Sequence, residues 1–167
     1  MPANTFHDLF VEELKDLYDA ENQLVEALPK MAKAAQDEKL KDGINAHLAE
    51  TKAHVGRLEQ VFKNLGEPIK GKPCRAMKGL IEEGAKGLSE NKPGPVRDAQ
   101  IIGSAQRVEH YEIAAYGTVV AMAKLMEHDE EAKLLQDTLD EEGDTDKKLT
   151  DISKDVNAAA FEAAPGM

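Results

Sequence analysis

The stretch YDAENQLVEALPKM, Tyr18–Met31, carries the apolar spacing of a long helix and interrupts it once. Apolar residues recur at Phe10, Leu14, Leu17, Leu24, Leu28, Met31 and Ala35, alternating four and three apart as one buried helix face requires. The same register passes through position 21, where the chain has a glutamate instead of a leucine.

Working outward, Thr5 and Asp8 have the spacing of a capping box, so a first helix is expected from Thr5 to about Ala35, bent near Pro29. A second is expected from Asp37 or Asp42 to Leu65, where Gly66 and Pro68 stop it. The connection from Gly66 to about Pro95 contains one short amphipathic stretch, CRAMKGLIEEGAKGL, between the Pro and Gly clusters EPIKGKP and NKPGP. Long helices are then expected from Val96 to Met126 and from Asp129 to about Val156, with 157–167 as a loosely packed tail. Two helical hairpins joined by one long crossover form the arrangement of ferritin-like folds, whereas cytokine bundles need two such crossovers. The expectation is therefore all-α: a single domain over 1–167, a ferritin-like antiparallel four-helix bundle whose one long crossover carries an extra short helix.

Composition agrees and excludes several functions. Aromatic residues make up 4% of the chain and Trp is absent, the profile of long amphipathic helices. The net charge of −11 opposes contacts with phosphates, so neither direct nucleic-acid binding nor binding to anionic membranes is expected. Cys74 has no second cysteine to pair with, MPANTFHDLF lacks the plan of a signal peptide, and no apolar run approaches membrane length. A cytoplasmic protein is expected. Phosphate loops and hydrolase elbows are missing.

The other seams repeat the anomaly. Leu40, Ile44, His47, Thr51, His54, Leu58, Val61 and Leu65 form the second, with Glu50 at its edge, within roughly 60° of both histidines at about 100° per residue. In the fourth segment two registers fit, Ala99, Ile102, Gln106, Glu109, Ile113, Tyr116 and Ile102, Ala105, Glu109, Glu112, Tyr116, Val119; both contain Glu109. The last reads Leu135, Leu139, Glu142, Asp146, Leu149, with Glu141 well off it. Every long helix thus carries ionisable residues near its middle, and the middles of antiparallel helices meet at one level. Buried carboxylates are costly and repel one another, and cations relieve both penalties. Oxygen ligands with one or two imidazoles suit iron or manganese.

The stretches DLFVEELKDLYDAENQLVEALPKMAKAA, LKDGINAHLAETKAHVGRLEQVF, GLIEEG, RVEHYEIAAYGT and KLLQDTLDEEGDTDKKLTDI resemble the YciF-type ferritin-like bacterial stress proteins over nearly the whole chain. The resemblance implies a ferritin-like bundle, commonly a homodimer, with a dinuclear metal site and a link to osmotic and oxidative stress. It sets Glu21, Glu50, Glu109, Glu112 and Glu142 as carboxylates of that site, with His54 or His47 and Asp146 supplying further ligands; two iron ions are expected first, manganese second. The Glu-x-x-His spacing of such sites is absent, because Glu50 to His54 and Glu142 to Asp146 are both four apart. Six acidic groups would outweigh two divalent cations, which argues that Asp146 or Glu112 stands outside the direct ligands. In the resulting mechanism Glu50 and Glu142 bridge, Glu21 and Glu109 are terminal ligands, His54 completes one site, and oxygen or peroxide is the reactant, as in an oxidase or peroxidase-like enzyme. The alternative is a non-catalytic bundle acting through dimer or partner contacts, its polar seam a specificity device.

Overall fold

The computed structural model describes residues 3–163 and contains, among them, five helices and no strand. These are α1 (Phe6–Ala34), α2 (Glu38–Leu65), α3 (Arg75–Glu90), α4 (Pro95–Leu125) and α5 (Asp129–Ala163). Each boundary has a local cause. Thr5 Oγ1 accepts from the Asp8 amide at 3.0 Å and the Asp8 carboxylate accepts from the Thr5 amide at 3.0 Å, satisfying two of α1's free donors. Asp37 caps α2 by accepting from the Leu40 amide at 2.9 Å. At its other end Gly66 has φ 68°, the left-handed conformation that glycine adopts without penalty. Pro29 lies inside α1, which continues beyond it to Ala34.

Helix α1 packs on α2 and α4, and α5 packs on α4 and α2, so the four long helices enclose a common core. The α1–α2 turn is tied to α4 by Asp98, whose buried carboxylate accepts from the amides of Gln36 at 2.9 Å and Asp37 at 2.8 Å. The connection after α2 is tied to α1: Lys72 donates its amide to the Lys15 carbonyl at 3.0 Å, and Cys74 its amide to Asp19 Oδ2 at 2.8 Å. Helix α3 lies over α4 and α1, and only Met77 among its residues is buried. Helix α5 continues past Val156 to Ala163, but none of residues 157–163 is buried; 164–167, the remainder of the expected tail, lie outside the described residues.

The apolar core is divided in two. One cluster gathers Leu24, Ile44, Val108 and Leu149 with their neighbours, the other Leu17, Leu58, Tyr116 and Leu135. Near the middle of each long helix, buried polar residues stand where one cluster gives way to the other: Glu21 on α1, His47, Thr51 and His54 on α2, Glu109 and Glu112 on α4, and Thr138, Glu142 and Thr145 on α5. A buried polar layer therefore crosses the core where all four helices are present.

Candidate functional site

The rotation of each helix about its axis selects which side chains enter that layer. On α4 the register that wins is Ile102, Ala105, Glu109, Glu112, Tyr116, Val119 and Ala123, all buried, while Gln106 and Ile113 are not. On α5 the buried line is Leu135, Thr138, Glu142, Thr145 and Leu149. Spacings of three and four through the two threonines keep Glu142 central and turn Leu139 and Asp146 toward the flank. On α2, His47, Thr51 and His54 are buried, and α1 contributes Glu21 with no exposed surface.

Two groups result. Glu21, His54 and Glu142 bring one donor atom each within 4.8 Å of one another, and His47, Glu109, Glu112 and Glu142 do the same. Glu142 belongs to both: its Oε1 is 2.9 Å from His54 Nδ1 and its Oε2 is 3.9 Å from His47 Nε2. Glu109 Oε1 lies 3.2 Å from His47 Nε2, and Glu21 Oε1 lies 3.4 Å from His54 Nδ1.

Each imidazole has one nitrogen in the layer and the other against a carboxylate at its edge. His54 Nε2 is 2.8 Å from Glu141 Oε2, and His47 Nδ1 is 3.7 Å from Glu50 Oε2 and 3.5 Å from Thr145 Oγ1. Arg57, one turn after His54, donates to both Glu141 oxygens at 2.6 and 2.8 Å. Tyr116, fully buried, donates its hydroxyl to Glu21 Oε1 at 2.5 Å. Glu141 was not legible as a site residue, since it lies off the apolar seam; the available signal was Arg57 at i+3 from His54.

Glu50 and Asp146 stand apart from both groups. The Glu50 carboxylate is partly exposed and meets Lys148 Nζ at 3.7 Å. Asp146 accepts from Gln106 at 3.1 Å and faces His110 at 3.3 Å. Of the two histidines that spacing left as competitors, one lies in each group. The remaining four carboxylates, Glu21, Glu109, Glu112 and Glu142, are all buried.

The electrostatics of this layer are severe. Burial pushes the carboxyl groups of Glu109 and Glu112 well above the usual range, and the neighbouring Glu142 charge adds to it. Glu21 is raised by burial against the opposing pull of His54. Burial would likewise raise Glu142, but the facing His54 and His47 hold it below its ordinary value. Burial alone would lower the His54 imidazole; Glu142 and Glu21 outweigh it and carry the pKa up to about 10. At the edge, Arg57 holds Glu141 down to about 2.

Ten buried side-chain nitrogen and oxygen atoms lack a hydrogen-bond partner among the described residues, and eight of them belong to Glu21, His47, His54, Glu109, Glu112 and Glu142. Several approach a neighbour closely but point wrongly for a hydrogen bond. Unsatisfied buried atoms are rare in folded proteins and each costs on the order of 1–3 kcal/mol. Eight in one layer are a set of carboxylate and imidazole donor atoms of the kind that could hold a cation.

A family model described as a domain of unknown function, DUF892, matches residues 5–161. Protein YciF of Escherichia coli K12 is 44% identical over 166 residues, covering 98% of this chain and 100% of that protein. The chain belongs to the YciF-type DUF892 family. Among solved members, the E. coli stress protein YciF superposes with a TM-score of 0.90 at 43% identity, covering 93% of this chain and 99% of that one. YcfI of Rhodopseudomonas palustris gives 0.86 at 43% identity, covering 88% and 94%. A Xanthomonas campestris protein at 20% identity gives 0.76 over 95% and 98%, a likeness of fold alone. Within this DUF892 chain no described helix is long and apolar enough to cross a membrane.

Proposed function

We propose that the chain is a stress-response protein of one ferritin-like domain, four long helices and a crossover helix, that works as a homodimer and holds two metal ions in its polar layer, iron in preference to manganese. The observation that carries the reading is the set of eight orphaned donor atoms on six residues. Charge supports it too. Without Glu50 and Asp146 the layer has four carboxylates, which two divalent cations neutralise, and the surplus expected from sequence disappears.

Glu21 and His54 would hold one ion and His47, Glu109 and Glu112 the other, with Glu142 shared because its two oxygens face different histidines. Such a pair supplies Lewis acidity and electrons for the reduction of oxygen or peroxide. The chain's own residues prepare the ligands. Glu141, fixed by Arg57, accepts a hydrogen bond from His54 Nε2–H, which keeps the proton on Nε2 and leaves the Nδ1 lone pair to face Glu21 and Glu142. At His47, Thr145 Oγ1 stands 3.5 Å from Nδ1 and donates to Glu50 Oε2 at 3.3 Å, so Glu50 orients the imidazole through Thr145 and through its charge. Tyr116 holds Glu21 in place through its hydroxyl. The apolar clusters on either side exclude water and strengthen every interaction in the layer.

The test is metal content after anaerobic reconstitution with ferrous or manganous ion, read by elemental analysis. About two ions per chain are expected, falling to near zero in Glu142→Ala. Less than about half an equivalent in the wild type overturns the reading.

A further inference from the structure

Helix α3 covers the bundle without sealing it. Between its inner face and the α1–α4 pair runs an apolar slot, walled by Leu80, Ile81 and Leu88 on one side and Leu24, Met31 and Val108 on the other. The slot exists because α3 presents Gly84 and Ala85 midway along that face. Nearer its C-terminus α3 closes tightly, since a Cβ at Gly87 would meet the Gln100 side chain at 2.2 Å. A second, inner pocket shares Leu24, Met31 and Val108 with the slot and ends on His47, Glu109 and Thr145. The inner pocket is the smaller of the two, about 20 Å³ against about 110 Å³ in the slot. The slot's polar features are few. Exposed Lys30 stands at its rim, with no carboxylate partner within 4.0 Å among the described residues.

An apolar, narrow, lengthwise space with one unpartnered cation at its mouth matches an amphiphile with a negative head and a linear tail. We propose that this slot binds an unbranched fatty acid, its carboxylate at Lys30 and its chain running past Leu24, Met31 and Val108 toward His47 and Glu109. The only polar side chains lining the slot are Lys30 at the rim and Ser104, so it suits a hydrocarbon chain, which loses nothing by leaving water, better than a hydrated ion. Met31, flexible and polarisable, lies at the shared wall and adapts to a chain end passing it. Binding of the acid needs no metal, so it stands or falls separately from the metal reading.

Calorimetric titration of the metal-free full chain with saturated acids of increasing length tests it. Affinity is expected to rise about fourfold per added methylene until the slot is full, then to level off. Gly84→Leu, which fills the slot from a position whose Cβ has only an ordinary 3.6 Å contact with Ser104, is expected to weaken binding at least about tenfold. Lys30→Glu is expected to weaken the acid about threefold and leave its methyl ester unchanged. The chain has no Trp, so Leu80→Trp gives a single tryptophan, selectively excited and placed in the wall, which a dibrominated fatty acid should quench on contact. Absence of saturable binding by the wild type, or undiminished binding by Gly84→Leu, overturns the proposal. Metal binding lost while acid binding persists would sink the metal reading alone.

Discussion

The Tyr116 hydroxyl donates to Glu21 Oε1 at 2.5 Å across 95 residues of sequence, joining the middle of α4 to the middle of α1 inside the core. The other Glu21 oxygen has no partner. One oxygen is thereby positioned and the other left unpaired, free for the proposed metal. Tyr116→Phe removes the positioning bond and little volume, so metal affinity is expected to fall about 10- to 100-fold, measured by competition against a chelator. The metal-free fold should lose only about 1 kcal/mol, measured in urea.

Glu112 carries two orphaned oxygens in full burial. Glu112→Gln keeps the shape and removes the charge. Without metal the variant is expected to be more stable than wild type at neutral pH by about 1–2 kcal/mol, because an uncompensated buried carboxylate costs at least that. In excess metal the order should reverse, since stabilisation by a bound ion scales with its affinity. Two urea curves for each protein, with and without metal, check this; the same order in both would sink it.

His54 and Glu141 give the metal-free protein opposite pH dependences, and the raised carboxyl groups of Glu109 and Glu112, which hold their protons more tightly when folded, add to the loss of stability as pH rises above 4.5. His54 binds its proton more tightly folded, with a pKa of about 10, than unfolded, where it is near 6.5. Its contribution is fully present below pH 6.5 and is lost as pH rises through 10. Glu141 has the opposite sign: its folded value of about 2 lies below the ordinary 4.5. Its contribution is present above pH 4.5 and is lost as pH falls through about 2. Urea midpoints should therefore decline from pH 6.5 toward 10, and Glu141→Gln should flatten the decline toward acid.

Asp98 offers a control far from metal chemistry. Its buried carboxylate accepts from two amides of the α1–α2 turn. Asp98→Ala leaves both donors without their acceptor and is expected to cost about 2–3 kcal/mol, with metal stoichiometry unchanged. A denaturant titration beside elemental analysis measures both.

Much of this molecule is written locally. The capping box at Thr5, the stop at Gly66 and the three-and-four spacing of α2 are short-range signals, and the helices begin and end close to where those signals lie. Glu21, His47, His54, Glu109, Glu112 and Glu142 were legible because a charge in an apolar seam is conspicuous whichever helix it faces. The flanks were less so. Asp146 fits the four-spacing from Glu142 as well as Thr145 fits the three-spacing, and periodicity alone does not choose between them.

The sequence by itself determined that four long helices each carry ionisable groups in the middle of a buried face, because side-chain direction along a helix is fixed by its pitch. Only the tertiary structure decided which of those groups share one layer. The rotation of each helix about its axis is set by packing against its neighbours, for α5 against α4 and α2, and that rotation turned Glu142 inward and Asp146 out toward His110. It also left Glu50 at the rim beside Lys148 and brought Glu141, invisible in the pattern of α5, onto His54.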